Sequence, residues 1–349
     1  MATPARIGVL TGGGDAPGLN AVIRAVVKAG ANVAAQIVGL EDSFDGLMAD
    51  DKARLLTPAD VTGILRLGGT ILGTRRGGDL PTTLDAASDR FKALGLDGLI
   101  CIGGDGTLTI AYELFKRGLP IVAVPKTIDN DIAGTNSCFG FDTAVSFATE
   151  AIDRLHTTAH AHHRVMVVEV MGRYTGWIAL HAGVAGGADV ILVPEIPFDV
   201  AAVAARIRER DAAGARFSIV VVAEGAHATG GRASIIAEAS AGQAERLGGV
   251  AEAVACQLSG LSGKESRAVV LGHLQRGGVP TAFDRTLATR FGGAAIELVR
   301  RGQFGLMVAN HPPNVVPVPL RDVVGRRKPV PLDYDLLLTA RSLGISFGD

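Results

Sequence analysis

Short apolar runs alternate along this chain with longer stretches whose apolar positions recur every three or four residues, the pattern of repeated strand–helix–strand units. Ile7 to Leu10 reads as a buried strand that breaks at Thr11-Gly-Gly-Gly-Asp-Ala-Pro-Gly18. A helix follows, with Leu19, Val22, Ile23, Val26 and Val27 on its apolar side. Ala34 to Leu40, Asp97 to Ile102 and Leu119 to Val124 read as further strands, the last two separated by a helical stretch, Leu108 to Arg117. Phe141 to Thr157 predicts an amphipathic helix with Phe141, Val145, Ala148, Ile152 and Leu155 along one face. A second series has strands at Arg164 to Val170, Val190 to Val193, Phe217 to Ala223 and Arg267 to Leu271, with helices at Trp177 to Ala185 and Val200 to Ala213. Another helix begins near Pro280 to Arg285, and the proline-rich tail Pro312 to Pro331 reads as irregular before a last helix, Tyr334 to Leu343. The expected class is α/β, with mostly parallel sheets covered by helices on both faces.

Length and composition narrow this picture. At 349 residues the chain suits two domains, and 48% hydrophobic residues supply ample core for both. A formal net charge of −1 gives no general field for nucleic acid or an anionic membrane, so any anion site must be local. Cys101, Cys138 and Cys256 are odd in number and widely spaced, which indicates neither a disulfide framework nor a zinc site; buried thiols in a reducing cytoplasm are expected. Neither a signal peptide nor an 18-residue apolar run is present, so the expected location is cytoplasmic.

The chemistry gathers where strands end. Gly12-Gly13-Gly14-Asp15 leaves a strand and opens a helix, so backbone amides there can approach an anion, although such a turn can equally be a tight connection. The dinucleotide spacing G-x-G-x-x-G and a Walker lysine are both absent. Gly69 to Gly77 carries Arg75 and Arg76 between glycines; alone it reads as a solvated basic turn, beside other phosphate loops as a guanidinium for a phosphoryl group. Asp105, within Gly103-Gly-Asp-Gly-Thr107, could reach a phosphate-bound Mg²⁺ or could cap the following helix. Pro125-Lys-Thr-Ile-Asp-Asn-Asp131 offers a cation and carboxylates in one loop, as phosphoryl transfer to an alcohol requires. An extended loop would send Asp129 and Asp131 to one side and Asn130 to the other. Arg164, Arg267 and Arg276 sit at strand termini and suit a second phosphate, hence a phosphorylated acceptor.

Thr11 to Asn20, Gly68 to Arg76, Gly103 to Thr107, Pro125 to Asp131, Val168 to Arg173 and Leu271 to Gly278 together, in this order, resemble the phosphofructokinase A family, from Ile7 to about Arg300. The resemblance implies transfer of a phosphoryl group to the 1-hydroxyl of fructose 6-phosphate. It implies two doubly wound, Rossmann-like, three-layer domains with the active site in the cleft between them. Residues 1–140 plus about 275–325 would bind the phosphoryl donor, and 141–274 plus about 326–349 would bind fructose 6-phosphate. By the same resemblance Asp129 matches the general base, Thr127 and Asp131 lie beside it, Asp105 matches the Mg²⁺-associated carboxylate, and Arg173 lies near the transferred group. Gly14, Arg76, Gly106, Thr107 and Lys126 fall in the donor site. Met171, Gly172, Glu224, His273 and Arg276 would hold the sugar phosphate, with Arg164 and Arg267 reaching across from a neighbouring subunit of a homo-oligomer, usually a tetramer.

The donor follows from two positions. Pyrophosphate users of the family typically carry aspartate where this chain has Gly106 and lysine where it has Lys126, whereas common bacterial ATP users carry glycine at both. Gly106 removes a carboxylate that would face the α-phosphate, so ATP is the expected donor and pyrophosphate the alternative; Gly140 to Ala144 and Gly176 to His181 resemble the actinobacterial-type branch, which contains both. Arg24 and Lys28 match effector-binding positions of regulated members, but His156 replaces an arginine and Ala215-Arg216 a lysine-rich pair, which weakens that site for anions. An NAD-kinase-like enzyme would share Gly103 to Thr107 but not Pro125 to Asp131, and a non-catalytic sensor would be expected to have lost Asp129, Asp105 or the arginines.

Overall fold

The structure, a computed structural model, describes residues 5–75, 84–237 and 246–349. They fall in two compact units. The first comprises Met1–Ile128, Ile132–Thr143 and Arg276–Arg327, and the second Asp129–Asp131, Ala144–Gln275 and Lys328–Asp349.

In the first unit the strands lie in the order Asn314–Pro319, Leu306–His311, Ile121–Thr127, Gly98–Gly103, Arg6–Gly12, Gln36–Leu40 and Ala53–Leu56, with Phe139–Gly140 pairing beside Ile121–Thr127. The inner strands are parallel; only the two outermost run antiparallel to their neighbours. Alternation of side chains along each strand separates two cores. Ile7, Val9, Ile100, Ile102, Val122 and Val124 pack on one face with helices Leu19–Asn32 and Ala282–Arg300. Leu10, Leu99, Cys101, Ile121 and Ala123 pack on the other with helices Leu84–Ala93 and Asp105–Lys116. Strands buried on both faces read as unbroken apolar runs, and that is why they were legible in the sequence.

The proline-rich tail differs from expectation. Asn314–Pro319 is a strand, not an irregular segment, and pairs antiparallel with Leu306–His311. Proline lacks the N–H a central strand needs, but at the sheet edge one side of the backbone needs no partner strand, so Pro317 and Pro319 are tolerated.

The second unit is built on a parallel sheet ordered Ser266–Val270, Val165–Val170, Ser218–Ala223 and Val190–Leu192. Val165, Val167, Val220 and Val222 form one core with helices Val200–Ala212 and Val250–Ser262. Helix Trp177–Ala185 is buried over most of its length, in keeping with a helix that is apolar all round. Ile235–Ala237 and Arg246–Leu247 add a short antiparallel pair.

Cys101 and Cys138 are buried and burial pushes the Cys101 thiol pKa up, but Cys256 is exposed, contrary to the expectation of three buried thiols. It sits on helix Val250–Ser262, whose buried positions are Val250, Ala251, Val254, Ala255 and Leu258, leaving Cys256 on the opposite side. Among the described residues no helix is long and apolar enough to cross a membrane.

Candidate active site

Strand register assembles the first group of functional loops. Gly12 pairs with Gly103, and Gly103 pairs with Pro125, so the first two strands end at one level, and the third runs past it through Lys126 to Thr127 before its loop begins. From strand Arg6–Gly12 the chain winds first to one side, to Gln36–Leu40, and later to the other, to Gly98–Gly103. The carboxyl ends at such a reversal are where open α/β sheets bind ligands.

The side chains there are closely interlocked. Lys126 is 3% exposed, and its ammonium donates to the Gly14 carbonyl. Thr107 is buried beneath the turns: a Cβ at Gly12 would lie 2.5 Å from Thr107 Oγ1. Gly13 takes φ 76°, a conformation open to glycine at little cost. Arg276 Nη1 donates to the Asp15 carbonyl at 3.1 Å, and a Cβ at Gly14 would come within 2.6 Å of it, so glycine at 14 permits the guanidinium to lie against the turn. Helix Asp105–Lys116 starts earlier than its apolar pattern suggested. Gly104 is its N-cap, without a side-chain cap, and Asp105 and Gly106 are exposed in its first turn. Asp105 is thus not the N-cap residue, and backbone N–H groups of that turn are positioned for an anion.

The loop leading to Arg76 is latched to the glycine turn. Thr11 Oγ1 donates to Gly73 O at 2.6 Å, Thr74 Oγ1 to Gly13 O at 2.6 Å, and Gly13 N to Arg75 O at 3.2 Å. Arg75 pairs with Asp45 at 2.5 Å. Arg76 itself lies outside the described residues.

The second unit collects another group. Met171 and Gly172 follow strand Val165–Val170, Glu224 follows Ser218–Ala223, and His273 follows Ser266–Val270, all at the carboxyl end of one parallel sheet. Buried Gln275 joins two of these segments: its Oε1 accepts from Met171 N at 3.4 Å and its Nε2 donates to Gly272 O at 3.2 Å. Glu224 N donates to Val170 O at 2.9 Å. Arg173 lies 5.1 Å over the Tyr174 ring and lines an open cavity of about 340 Å³ with Pro194, Gly225, His227 and Arg232.

Arg164 and Arg267 are not part of that group within one chain. Arg164 precedes strand Val165–Val170, and Arg267 pairs with Met166 near the amino end of the sheet. Arg164 Nε donates to Glu265 at 2.6 Å and Arg267 also pairs with Glu265. The hydrogen bond from Arg164, helped by Arg267, holds the Glu265 carboxyl below its usual range. At about 3.3 Å per residue the strand separates Arg164 from Met171 by roughly 23 Å.

Asp129, Asn130 and Asp131 do not form the extended loop expected. Asn130 is left-handed, φ 53°, and 3% exposed. Asparagine tolerates this conformation better than most residues. Lys328 Nζ donates to Asn130 Oδ1 at 3.0 Å and Thr175 Oγ1 to Asp129 O at 3.2 Å.

Residues 6–299 match the sequence profile of the Phosphofructokinase family. The chain belongs to the phosphofructokinase family. It is 55% identical to an ATP-dependent 6-phosphofructokinase of Chloroflexus aggregans, over 99% of this chain and 98% of that one. It is 51% identical to a pyrophosphate–fructose 6-phosphate 1-phosphotransferase of Amycolatopsis mediterranei, over 94% of this chain and 97% of that one. It also resembles a solved structure of Pichia pastoris phosphofructokinase in the T-state, with TM-score 0.82 and 33% identity. That match covers 93% of this chain but only 36% of the longer yeast polypeptide.

One buried amide under the glycine turn was not singled out by its sequence pattern. Asn20, 1% exposed, accepts from Ile71 N at 2.8 Å and donates to Leu67 O and Gly68 O, fixing the arginine loop from below. Its signal was present: it closes the Thr11 to Asn20 motif. Of the positions matched to an effector site, His156 has its Nε2 2.7 Å from Gly186 O, and its ring meets Phe217 edge-on. Among the described residues no group of three or more His, Cys, Asp or Glu forms a metal cage. One exposed carboxylate, Asp105, nonetheless fits Mg²⁺, which is commonly held by one or two carboxylates with phosphate oxygens and water.

Proposed function

We propose that this protein is an ATP-dependent 6-phosphofructokinase, making fructose 1,6-bisphosphate from fructose 6-phosphate in cytoplasmic glycolysis. The observation that carries the reading is the register that sets Gly12, Gly103 and Pro125 side by side next to Lys126, in a chain 55% identical to a relative of that name. The first unit would bind the donor: Gly14, Arg76, Gly106, Thr107 and Lys126 would contact its phosphates. Asp105 would hold Mg²⁺, which when bound neutralises charge on the phosphate oxygens. The second unit would bind fructose 6-phosphate through Met171, Gly172, Arg173, Glu224 and His273; Arg276, by the family resemblance a contact of the sugar phosphate, belongs to the first unit.

In the reaction Asp129 takes the proton of the acceptor 1-hydroxyl as that oxygen bonds to the γ-phosphorus and the bond to the leaving ADP oxygen breaks. Lys126 and Arg173 offset charge on the transferring group, and Thr127 and Asp131 orient it and the hydroxyl. Because Arg164 and Arg267 sit at the sheet end opposite Met171, Glu224 and His273, we assign them to a neighbouring subunit's site, in a homo-oligomer of tetramer type.

Pyrophosphate is the second reading. Lys126 and the 51% identical Amycolatopsis relative favour it; Gly106 favours ATP, because no side chain there opposes an α-phosphate. Separate incubations with Mg²⁺ of fructose 6-phosphate with ATP, fructose 6-phosphate with pyrophosphate, and NAD with ATP, followed by ³¹P NMR of the products, test the function. Stoichiometric fructose 1,6-bisphosphate and ADP from ATP are expected; product from pyrophosphate alone supports the second reading, and no hexose bisphosphate from either donor, or phosphorylation of NAD instead, contradicts both.

A further inference from the structure

The turn carrying the proposed base is held by residues far away in sequence. Each of its members has an anchor within the second unit. Thr175 Oγ1 donates to the Asp129 carbonyl at 3.2 Å, Lys328 Nζ to Asn130 Oδ1 at 3.0 Å, and Lys328 N to the Asp131 carbonyl at 2.8 Å. Lys328 is itself fixed. Its carbonyl accepts from Trp177 Nε1 at 2.8 Å, and its ammonium lies 5.3 Å from the centre of the Trp177 ring. Glu195 joins the two anchoring segments, accepting from Gly176 N at 3.0 Å and from Val330 N at 2.8 Å. Thr175 to Trp177 and Lys328 to Val330 therefore both grip Asp129-Asn130-Asp131, and one carboxylate, Glu195, joins the two segments.

We infer that Lys328 is a positioning residue for phosphoryl transfer, locking the left-handed Asn130 so that Asp129 is held at one fixed angle to the acceptor hydroxyl. Asn130 is the pivot, because its φ of 53° reverses the chain between the two aspartates. A flexible left-handed residue would let the Asp129 carboxylate swing. The Lys328 ammonium prevents this by gripping the asparagine side chain, and its main-chain N–H grips the next carbonyl. A general base must sit within hydrogen-bond reach of its proton, and a displacement of about 1 Å can cost about 100-fold. Lys328 acts through Asn130 and Asp131, not on the reacting atoms, so its loss should appear in turnover and leave substrate affinity nearly unchanged.

This inference rests on the proposed phosphofructokinase reaction, and one steady-state series tests the two separately. Wild type, Lys328→Met, Lys328→Arg, Asn130→Gly and the Lys328→Met/Asn130→Gly double variant are assayed with ATP-Mg²⁺ and fructose 6-phosphate. Methionine keeps the aliphatic stem, and glycine keeps access to the left-handed conformation. The expected result is a kcat lowered about 10- to 100-fold in Lys328→Met and in Asn130→Gly, with both KM values within about threefold of wild type. Lys328→Arg should recover part of the loss, and the double variant should be no slower than the slower single variant, since both break one contact. A Lys328→Met kcat within twofold of wild type, losses confined to KM, or multiplying effects in the double variant would overturn the assignment. If Lys328→Met fails to fold, Asn130→Gly decides by the same kcat and KM criteria. An inactive wild type sinks the reaction itself, whereas an active wild type with an undiminished variant sinks only the role of Lys328.

Discussion

Gly106→Asp isolates the choice of donor, because the structure separates its electrostatic effect from any effect on folding. Gly106 is exposed in the first turn of helix Asp105–Lys116, and a Cβ there meets no atom within 4 Å. Its φ is outside the left-handed range, so an L side chain introduces no strain. Aspartate has a better helix propensity than glycine and suits the positive end of the helix, the latter worth about 0.3–1 kcal/mol. Tm should therefore hold or rise slightly. The new carboxylate would face the α-phosphate of ATP at a separation on the order of 4 Å. Repulsion between unit charges at that distance is about 4 kcal/mol at an effective dielectric of 20 and about 1 kcal/mol in bulk water. An exposed position lies between these limits, which corresponds to a loss of about 5- to 1,000-fold in kcat/KM for ATP. Initial rates at varied ATP, at low and high ionic strength, measure the loss, and salt should shrink it. Gly106→Asn supplies the same bulk without charge and should retain most activity. A Gly106→Asn variant as impaired as Gly106→Asp would refute the electrostatic argument, as would a Gly106→Asp variant within twofold of wild type.

Further outcomes follow from other residues. Asp129→Asn should fold and bind fructose 6-phosphate yet lose about 10²–10⁴ in kcat, the range for removal of a general base; turnover within a few-fold of wild type contradicts its role. Mixed Arg164→Ala and Asp129→Asn subunits, each inactive alone, should regain activity on subunit exchange, and none despite verified exchange would place each site in a single chain. Burial pushes the Asp284 pKa up to about 6, against hydrogen bonds from Thr143 and with Asp142 adding to the rise. Its folded pKa exceeds the unfolded value, so this contribution is full below pH about 4 and is lost as pH rises through about 6, on the order of 3 kcal/mol. Asp284→Asn should remove that dependence, so the difference in Tm between variant and wild type should shift in the variant's favour between pH 4.5 and 7.5; a constant difference would exclude it.

The sequence disclosed the strands that are buried on both faces, because Leu99 to Ile102 and Ile121 to Val124 are unbroken apolar runs, and it disclosed helix Leu19–Asn32 through its stripe. Edge elements were harder to read. Asn314–Pro319 carries prolines that argue against a strand unless one knows that it lies outermost. The loops of the candidate site were visible as motifs, but their alignment is a property of register, which local patterns do not encode. Roles such as base and metal ligand came from the family resemblance, not from spacing. The grip of Lys328 on Asn130 spans 198 residues, and a single lysine in a proline-rich tail gives no local sign of it. Asn130 itself read as extended because a left-handed φ at asparagine depends on the anchors around it.

The most direct test of the account is a comparison of donors at saturating fructose 6-phosphate and Mg²⁺, with kcat/KM measured for ATP and for pyrophosphate on one preparation of the unaltered enzyme. A value for ATP at least tenfold above that for pyrophosphate is predicted. The reverse ratio would contradict it, and would mean that an aspartate at position 106 is not needed to favour pyrophosphate.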